Sequence, residues 1–119
     1  MTNTVSRFRT LAIATSLVTL IAALCTNAQA GQDPKPPQTV AIDIDIFKFG
    51  VASLEVAVGT TVTWTNRDDV PHTVTSSTKV FKSPPLDTGE TFTYTFKQAG
   101  TFEYYCALHP HMTGKVVVK

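Results

Sequence analysis

A two-residue alternation of apolar and polar side chains begins at Thr39 and constrains the fold more than any other feature. Alternation of this kind indicates half-buried strands, because successive side chains of a strand point to opposite faces of the sheet. No segment after residue 30 has a sustained helical period, so the pattern predicts an all-β sandwich or barrel. Its apolar members are Val40, Ile42, Ile44 and Ile46; Leu54, Val56 and Val58; Val62 and Trp64; Phe92, Tyr94 and Phe96; Phe102 and Tyr104; and Val116 and Val118.

Residues 1–30 have the three parts of a secretory signal peptide. Arg7 and Arg9 precede an apolar run over residues 11–24, and the segment ends in small residues at Ala28 and Ala30. A membrane span needs about 20 predominantly apolar residues, and this run is shorter and interrupted by threonines and a serine. We therefore predict an exported, periplasmic protein with no membrane segment after cleavage.

The chain has 119 residues, enough for one small domain. Residues 31–38 contain three prolines, Pro34, Pro36 and Pro37, which predict an extended, solvated leader. Residues 39–119 then form the single domain, which we expect to be a monomer. The formal net charge is +1, and loss of Arg7 and Arg9 makes it −1, so neither sign dominates and nucleic acid is not an expected partner.

Cleavage after Ala30 removes Cys25 and leaves Cys106 as the only cysteine. A lone cysteine in an exported protein cannot form an internal disulfide. It is a buried bystander, an intermolecular link or a functional thiolate.

Cys106, His109 and Met112 have the spacing C-x-x-H-x-x-M directly after a predicted strand. Parity places Cys106 on the face of the inward-pointing residues of that strand. His72 follows Pro71 and is placed on an inward face by the same argument. We predict that these four side chains meet at one end of the sandwich.

Two imidazoles, a thiolate and a weak thioether are the donor set of an electron-transfer copper site. Taken singly, a histidine is more often solvated, a methionine more often core, and a cysteine more often an inert small hydrophobe. These readings leave the clustering of the four residues unexplained. Zinc accepts imidazole and thiolate, but a methionine ligand is a poor match for it.

The chain resembles the cupredoxin, or blue-copper, family, and within it the members with a short ligand loop. The resemblance rests on two segments: residues 62–74, which include Trp64, Asn66, Pro71 and His72, and residues 104–114, which include Cys106, His109 and Met112. It implies a Greek-key sandwich of about eight strands with one type 1 copper. It also implies transient partners, an electron donor and an electron acceptor, rather than an enzymatic activity.

The resemblance also implies roles for single residues. His72, Cys106 and His109 would be the strong ligands and Met112 the long axial one. The N–H of Thr73 would donate to the Cys106 sulfur, and Asn66 would tie the ligand loops together. Thr73 departs from the family, which usually has asparagine after the first histidine.

His111 is the second departure, because the residue before the axial methionine is commonly apolar. Three interpretations are open: a solvent-facing side chain, which we favour, a change in the docking surface for partners, or a secondary metal contact.

Copper storage or delivery is the alternative function. An oxidase or reductase would need further histidines for a second metal centre, and a metal-free scaffold domain would leave the ligand cluster without a reason.

Overall fold

A computed structural model describes residues 35–119, so the predicted signal peptide and residues 31–34 of the leader lie outside the described residues. Residues 35–38 are exposed and precede the first strand. The described part of the chain consists of strands, turns and loops, and no helix in it could cross a membrane. The strands are β1 Thr39–Asp45, β2 Lys48–Phe49, β3 Ser53–Val56, β4 Thr61–Asn66, β5 Thr75–Ser76, β6 Thr91–Thr95, β7 Gly100–Tyr105 and β8 Thr113–Val118.

The strands form two four-stranded sheets with the orders β2-β1-β4-β6 and β3-β8-β7-β5. The pairs β1–β4 and β3–β8 are parallel, and the other pairs are antiparallel. The chain passes from one sheet to the other between most consecutive strands, as the long connections of a Greek-key sandwich require. The predicted all-β sandwich is confirmed.

Most apolar members of the alternation lie in the core between the sheets or pack against it. Ile42 and Ile44 of β1 lie beside Trp64 and Asn66 of β4 in register, and all four are buried. Burial of each large apolar side chain contributes about 1.5–3 kcal/mol. The core comprises Ile42, Ile44, Phe49, Val62, Trp64, Val74, Phe81, Leu86, Phe96, Tyr104, Cys106, Met112, Val116 and Val118.

The alternation predicts two strands, β1 and β3, to be longer than they are in the structure. β1 ends at Asp45, and Ile46, which the pattern places inside, is 74% exposed with φ of 51°. The chain turns there because the N–H groups of Ile46 and Phe47 donate to the carboxylate of Asp68. Val58 is 48% exposed because β3 has already ended and the chain is entering the turn at Gly59.

Two connections position the functional residues. Residues 106–112 join β7 to β8, and residues 67–74 join β4 to β5. β5 pairs with the end of β7, with Thr75 opposite Tyr105, so His72 and Cys106 are drawn toward the same end of the sandwich.

Candidate metal centre

The loop over residues 106–112 is closed by its own backbone. The N–H of Cys106 donates to the carbonyl of Met112 at 3.1 Å, which extends the β7–β8 ladder by one bond. The N–H of His109 donates to the carbonyl of Cys106 at 3.2 Å, and that of Met112 to the carbonyl of His109 at 2.9 Å. The three candidate ligands on this loop are therefore held by one another's peptide groups.

His72 is held by a different element. Its N–H and carbonyl exchange hydrogen bonds with Leu86, at 3.1 and 2.7 Å, in an isolated antiparallel bridge. Its side chain is completely buried, as the parity argument predicts from Val74, which is also buried. The first histidine therefore has a backbone position set by the segment before β6.

The structure brings His72, Cys106 and His109 together. The sulfur of Cys106 lies 3.7 Å from Nδ1 of His72 and 3.6 Å from Nδ1 of His109. The donor atoms of all three lie within 4.8 Å of one another. Cys106 and His72 are buried, whereas His109 is half-buried and reaches the surface.

Met112 and His111, next to each other in the loop, have opposite environments. Met112 is 3% exposed and belongs to the core, so its thioether is shielded from water. His111 is exposed and is not part of the three-residue donor cluster, although its ring lies 6.4 Å from that of His109. The favoured interpretation of His111 as a solvent-facing side chain agrees with this exposure.

The cysteine sulfur has the predicted hydrogen bond from the neighbouring ligand segment. The N–H of Thr73 donates to Sγ of Cys106 at 3.3 Å. The hydroxyl of Thr73, where the family usually has an amide, accepts from the N–H of Ala107 at 2.7 Å. Thr73 thus ties the two ligand segments together, through its N–H to the Cys106 sulfur and through its hydroxyl to the N–H of Ala107.

The resemblance implied that Asn66 ties the two ligand loops together. Within residues 35–119 its side-chain hydrogen bonds go instead to Val70, Leu86 and Asp68, so it braces the segment that carries His72. Its Nδ2 donates to the carbonyls of Val70 and Leu86, each at 2.8 Å. Its Oδ1 accepts from the N–H of Asp68 at 2.9 Å. All three side-chain hydrogen bonds of this fully buried amide go to the segment that carries His72 or to Leu86, which pairs with His72.

Asp68 is a residue of the site that the sequence did not reveal. Its Oδ2 lies 2.7 Å from Nε2 of His72, the ring nitrogen that faces away from Cys106. Burial raises the pKa of Asp68, but two backbone N–H donors and the imidazole together lower it by more, so that it lies below its ordinary value of 3.8. The carboxylate is therefore ionised at neutral pH. The sequence did not predict Asp68 as a site residue because it belongs to no motif with a recognisable spacing.

Phe47 is the second residue that the sequence did not reveal. Its ring meets both imidazoles edge-on, with centroids 5.5 Å from His72 and 5.0 Å from His109. It is 42% exposed, so it covers the imidazoles on one side while remaining part of the surface. Phe47 is not among the apolar positions of the alternation, which therefore gave no indication of its contact with the site.

The donor set fits copper. A buried cysteine sulfur and two imidazole nitrogens converge on one space, which suits an ion that accepts soft sulfur and nitrogen ligands in two oxidation states. The sulfur already has a backbone N–H donor, and one imidazole has a carboxylate partner on its far nitrogen, the arrangement that orients histidine ligands in metal sites.

This fold and donor cluster define the class: the chain belongs to the cupredoxin-like domain family, whose model matches residues 13–118. It is 40% identical over 85 residues to amicyanin of Paracoccus denitrificans, covering 67% of this chain and 65% of that protein. It is 33% identical over 118 residues to amicyanin-alpha of Methylorubrum extorquens, covering 93% of this chain and 99% of that protein.

Solved structures give the same result. An oxidised proline-to-alanine variant of amicyanin has a TM-score of 0.65 at 40% identity, covering 68% of this chain and 82% of that one. A purple cupredoxin from Nitrosopumilus maritimus has a TM-score of 0.63 at 38% identity, covering 67% of this chain and 99% of that one. The chain is a cupredoxin similar to amicyanin, and the family expected from its two ligand motifs is confirmed.

Proposed function

We propose that this protein is a type 1 copper protein that carries single electrons between partner proteins, with His72, Cys106, His109 and Met112 holding the ion. One observation carries the proposal: a buried cysteine sulfur lies 3.7 and 3.6 Å from the Nδ1 atoms of two histidines. Copper bound there supplies a Cu(II)/Cu(I) couple, which accepts and releases one electron.

The residues around the donors favour electron transfer because they resist rearrangement. His72 is held by the bridge to Leu86, and Cys106 by the backbone of its own loop and by Thr73. A site whose ligands stay in place when the oxidation state changes has a small reorganisation cost. Enzymatic chemistry needs an open coordination position for substrate, and four protein donors leave none.

The exposed edge of His109 is the proposed route for electrons. His72 is completely buried, whereas His109 is half-buried among surface residues. We expect the patch around it to comprise Val70, Pro71, Leu108, Pro110 and His111, of which Leu108 is 48% exposed. A mainly apolar patch without fixed ion pairs suits a small interface that releases its partner quickly.

Copper storage or delivery is the alternative function for the same ligands. To pass copper to another protein, the ligands of this protein must be accessible to the ligands of the receiving protein. Here the thiolate and one imidazole are buried, which favours retention. The predicted signal peptide supports a periplasmic location, where electron carriers and copper carriers would both be found.

The test is to add Cu(II) to the purified metal-free protein and record its visible and electron-spin-resonance spectra. We expect an intense blue thiolate-to-copper band in the native protein and in Met112→Leu, and no such band in Cys106→Ser, which keeps the shape but lacks the thiolate. A Cys106→Ser protein that turned blue would refute the ligand assignment.

A second measurement separates the two functions. The copper-loaded protein is mixed with a copper chelator and, separately and after reduction to Cu(I), with a small one-electron oxidant. Electron transfer that is fast while metal loss is slow supports the carrier of electrons. Rapid loss of copper to the chelator would favour delivery instead.

A further inference from the structure

Strand β6, Thr91–Thr95, has one edge to which no strand of the described chain is bonded. It is the last strand in the order β2-β1-β4-β6, so among residues 35–119 only β4 pairs with it. An open edge of this kind presents a row of unpaired N–H and C=O groups, which pair readily with another strand.

The other edge strands of residues 35–119 are protected. β2 and β5 have only two residues each. β3 has four residues and carries a charge at Glu55, which pairs with Lys119. Short strands and charges both discourage pairing with another chain. β6 has five residues, TFTYT, without a charge, a glycine or a proline, so it is the edge best suited to pairing.

Hydrogen bonds at the two ends of β6 show which of its backbone groups are free. The N–H of Phe96 donates to the carbonyl of Thr60 at 2.9 Å, and the N–H of Asn66 donates to the carbonyl of Glu90 at 3.0 Å. In an antiparallel ladder, the backbone groups of alternate residues point to opposite sides of the strand. The even-numbered residues therefore bond to β4, and the odd-numbered residues direct their N–H and C=O groups to the open side. The odd-numbered residues are Thr91, Thr93 and Thr95.

A second copy of β6 is complementary to this edge. If a two-fold axis passes through Thr93, the two strands run antiparallel, with Thr93 opposite its counterpart and Thr91 opposite Thr95 of the second copy. The free groups of all three threonines are then matched. The pairing gives about six inter-strand hydrogen bonds, within the range of about 5–15 for a typical interface.

The side chains agree with the same register. On the core side, Phe92 lies opposite Tyr94 of the second copy, and the symmetry repeats this pair. Both rings are only partly buried and pack against the core, so pairing would cover part of their remaining surface. On the outer side, threonine lies opposite threonine, which is a favourable cross-strand pair.

The charges beside β6 are also complementary across the axis. Glu90 precedes the strand and Lys97 follows it, and neither belongs to an ion pair among residues 35–119. In this register Glu90 of one copy lies opposite Phe96 of the other, next to Lys97. Opposite charges are therefore brought near each other at both ends of the paired strands, which favours association.

The leader of the same chain is a poorer occupant of this edge. It contains Pro34, Pro36 and Pro37, and proline has no N–H to donate to a strand ladder. Gln38, which follows them, is already bonded elsewhere, because its carbonyl accepts from the N–H of Thr61 at 2.8 Å. A second copy of β6 supplies both donors and acceptors.

We propose that the protein forms a reversible homodimer in which two copies of β6 pair antiparallel about a two-fold axis at Thr93. The two four-stranded sheets that contain β6 then become one continuous sheet. β6 has none of the four proposed copper ligands, so the dimer does not depend on the proposed function. Small interfaces give weak and transient association, so the monomer predicted from the sequence predominates in dilute solution.

Sedimentation equilibrium of the purified protein between about 10 μM and 1 mM tests the proposal. We expect the average mass to rise from that of a monomer toward that of a dimer. Thr93→Lys should weaken the dimer by roughly tenfold or more, because it places like charges opposite each other at the axis. Thr101→Lys is the matched control: it adds the same charge at an exposed threonine of β7, in the other sheet, and should dimerise as the native protein does.

Thr93→Glu completes the design. Alone it should remain monomeric for the same reason as Thr93→Lys. An equimolar mixture of the two variants should dimerise, because opposite charges then face each other at the axis. Circular dichroism shows whether each variant is folded, and recovery in the mixture cannot arise from misfolding of the separate variants.

Amide hydrogen exchange of the native protein decides the same question without a variant. Exchange at Thr93 should slow as the protein concentration rises, whereas Phe92 and Tyr94, which bond to β4, should not change. Protection of Thr93 at every concentration would mean that another segment of the chain covers the edge, and it would overturn the proposal.

Three results of the sedimentation experiment would also overturn it. One is a native protein that is still monomeric at about 1 mM, the concentration at which even a very weak dimer is populated. Another is a dimer that Thr93→Lys leaves intact, which would place the interface elsewhere. The third is a mixture of folded Thr93→Lys and Thr93→Glu that does not dimerise, which would contradict the two-fold axis at Thr93.

Discussion

Replacing Asn66 with alanine should destabilise the metal-free protein more than any loss of exposed polar contacts could. The amide is fully buried and makes three side-chain hydrogen bonds, to the carbonyls of Val70 and Leu86 and from the N–H of Asp68. Alanine removes all three and leaves the backbone groups without these partners. The segment that carries His72 would then lose its internal brace.

The magnitude follows from the burial of each bond. The bond to Leu86 is buried, but the Leu86 carbonyl keeps its bond from the N–H of His72, so the loss of this bond costs about 1 kcal/mol. The bonds involving Val70 and Asp68 are partly buried, so water replaces them in part and each contributes about 1 kcal/mol. The expected loss is about 3 kcal/mol, a large share of the roughly 5–15 kcal/mol of a typical domain.

Guanidinium chloride unfolding of the metal-free protein measures this loss. With a slope of about 2 kcal/mol per molar denaturant, the midpoint should fall by about 1.5 M. Gln98→Ala removes an amide from an exposed position and should change stability by no more than about 0.5 kcal/mol. A loss below about 1 kcal/mol in Asn66→Ala would refute the reasoning, because it would mean that the three bonds contribute nothing net.

Three further predictions concern the two ligand segments and the strands beside them. A Cβ at Gly114 would lie 2.6 Å from the Tyr104 ring, so Gly114→Ala should lower stability by about 1–3 kcal/mol, and an unchanged denaturation midpoint would contradict this contact. Thr73→Ala removes the acceptor of the Ala107 N–H and should cost about 1 kcal/mol, whereas Thr73→Ser should retain it; equal stabilities of the two variants would argue against the bond. Burial raises the pKa of Tyr104 above its ordinary value of 10.0, with a smaller opposing effect from Trp64. The unfolded chain then loses this proton first, so the stability contributed is complete below pH 10 and is lost as pH rises through the folded-state pKa. Tyr104→Phe should fall less steeply than the native protein in alkaline unfolding curves, and parallel curves would contradict the shift.

The alternation and the spacing of four residues were sufficient to predict the fold class and the donors. Alternation is a local property, and most of the strands buried the face that it indicated. Cys106, His109 and Met112 are close in sequence, so a seven-residue loop had to keep them near one another. The parity of Cys106 and His72 then correctly predicted two buried side chains.

Tertiary structure decided what local patterns cannot express. The contact between His72 and Cys106 depends on β5 pairing with β7 in a register that places Thr75 opposite Tyr105, and nothing near either residue specifies that register. The alternation was wrong at Ile46 for a related reason. Its outward turn follows from the carboxylate of Asp68, 22 residues away, which binds the turn and His72 at once. A side chain that joins two segments distant in sequence has no periodic signature, because its position is set by hydrogen bonds that exist only after the sheets have paired.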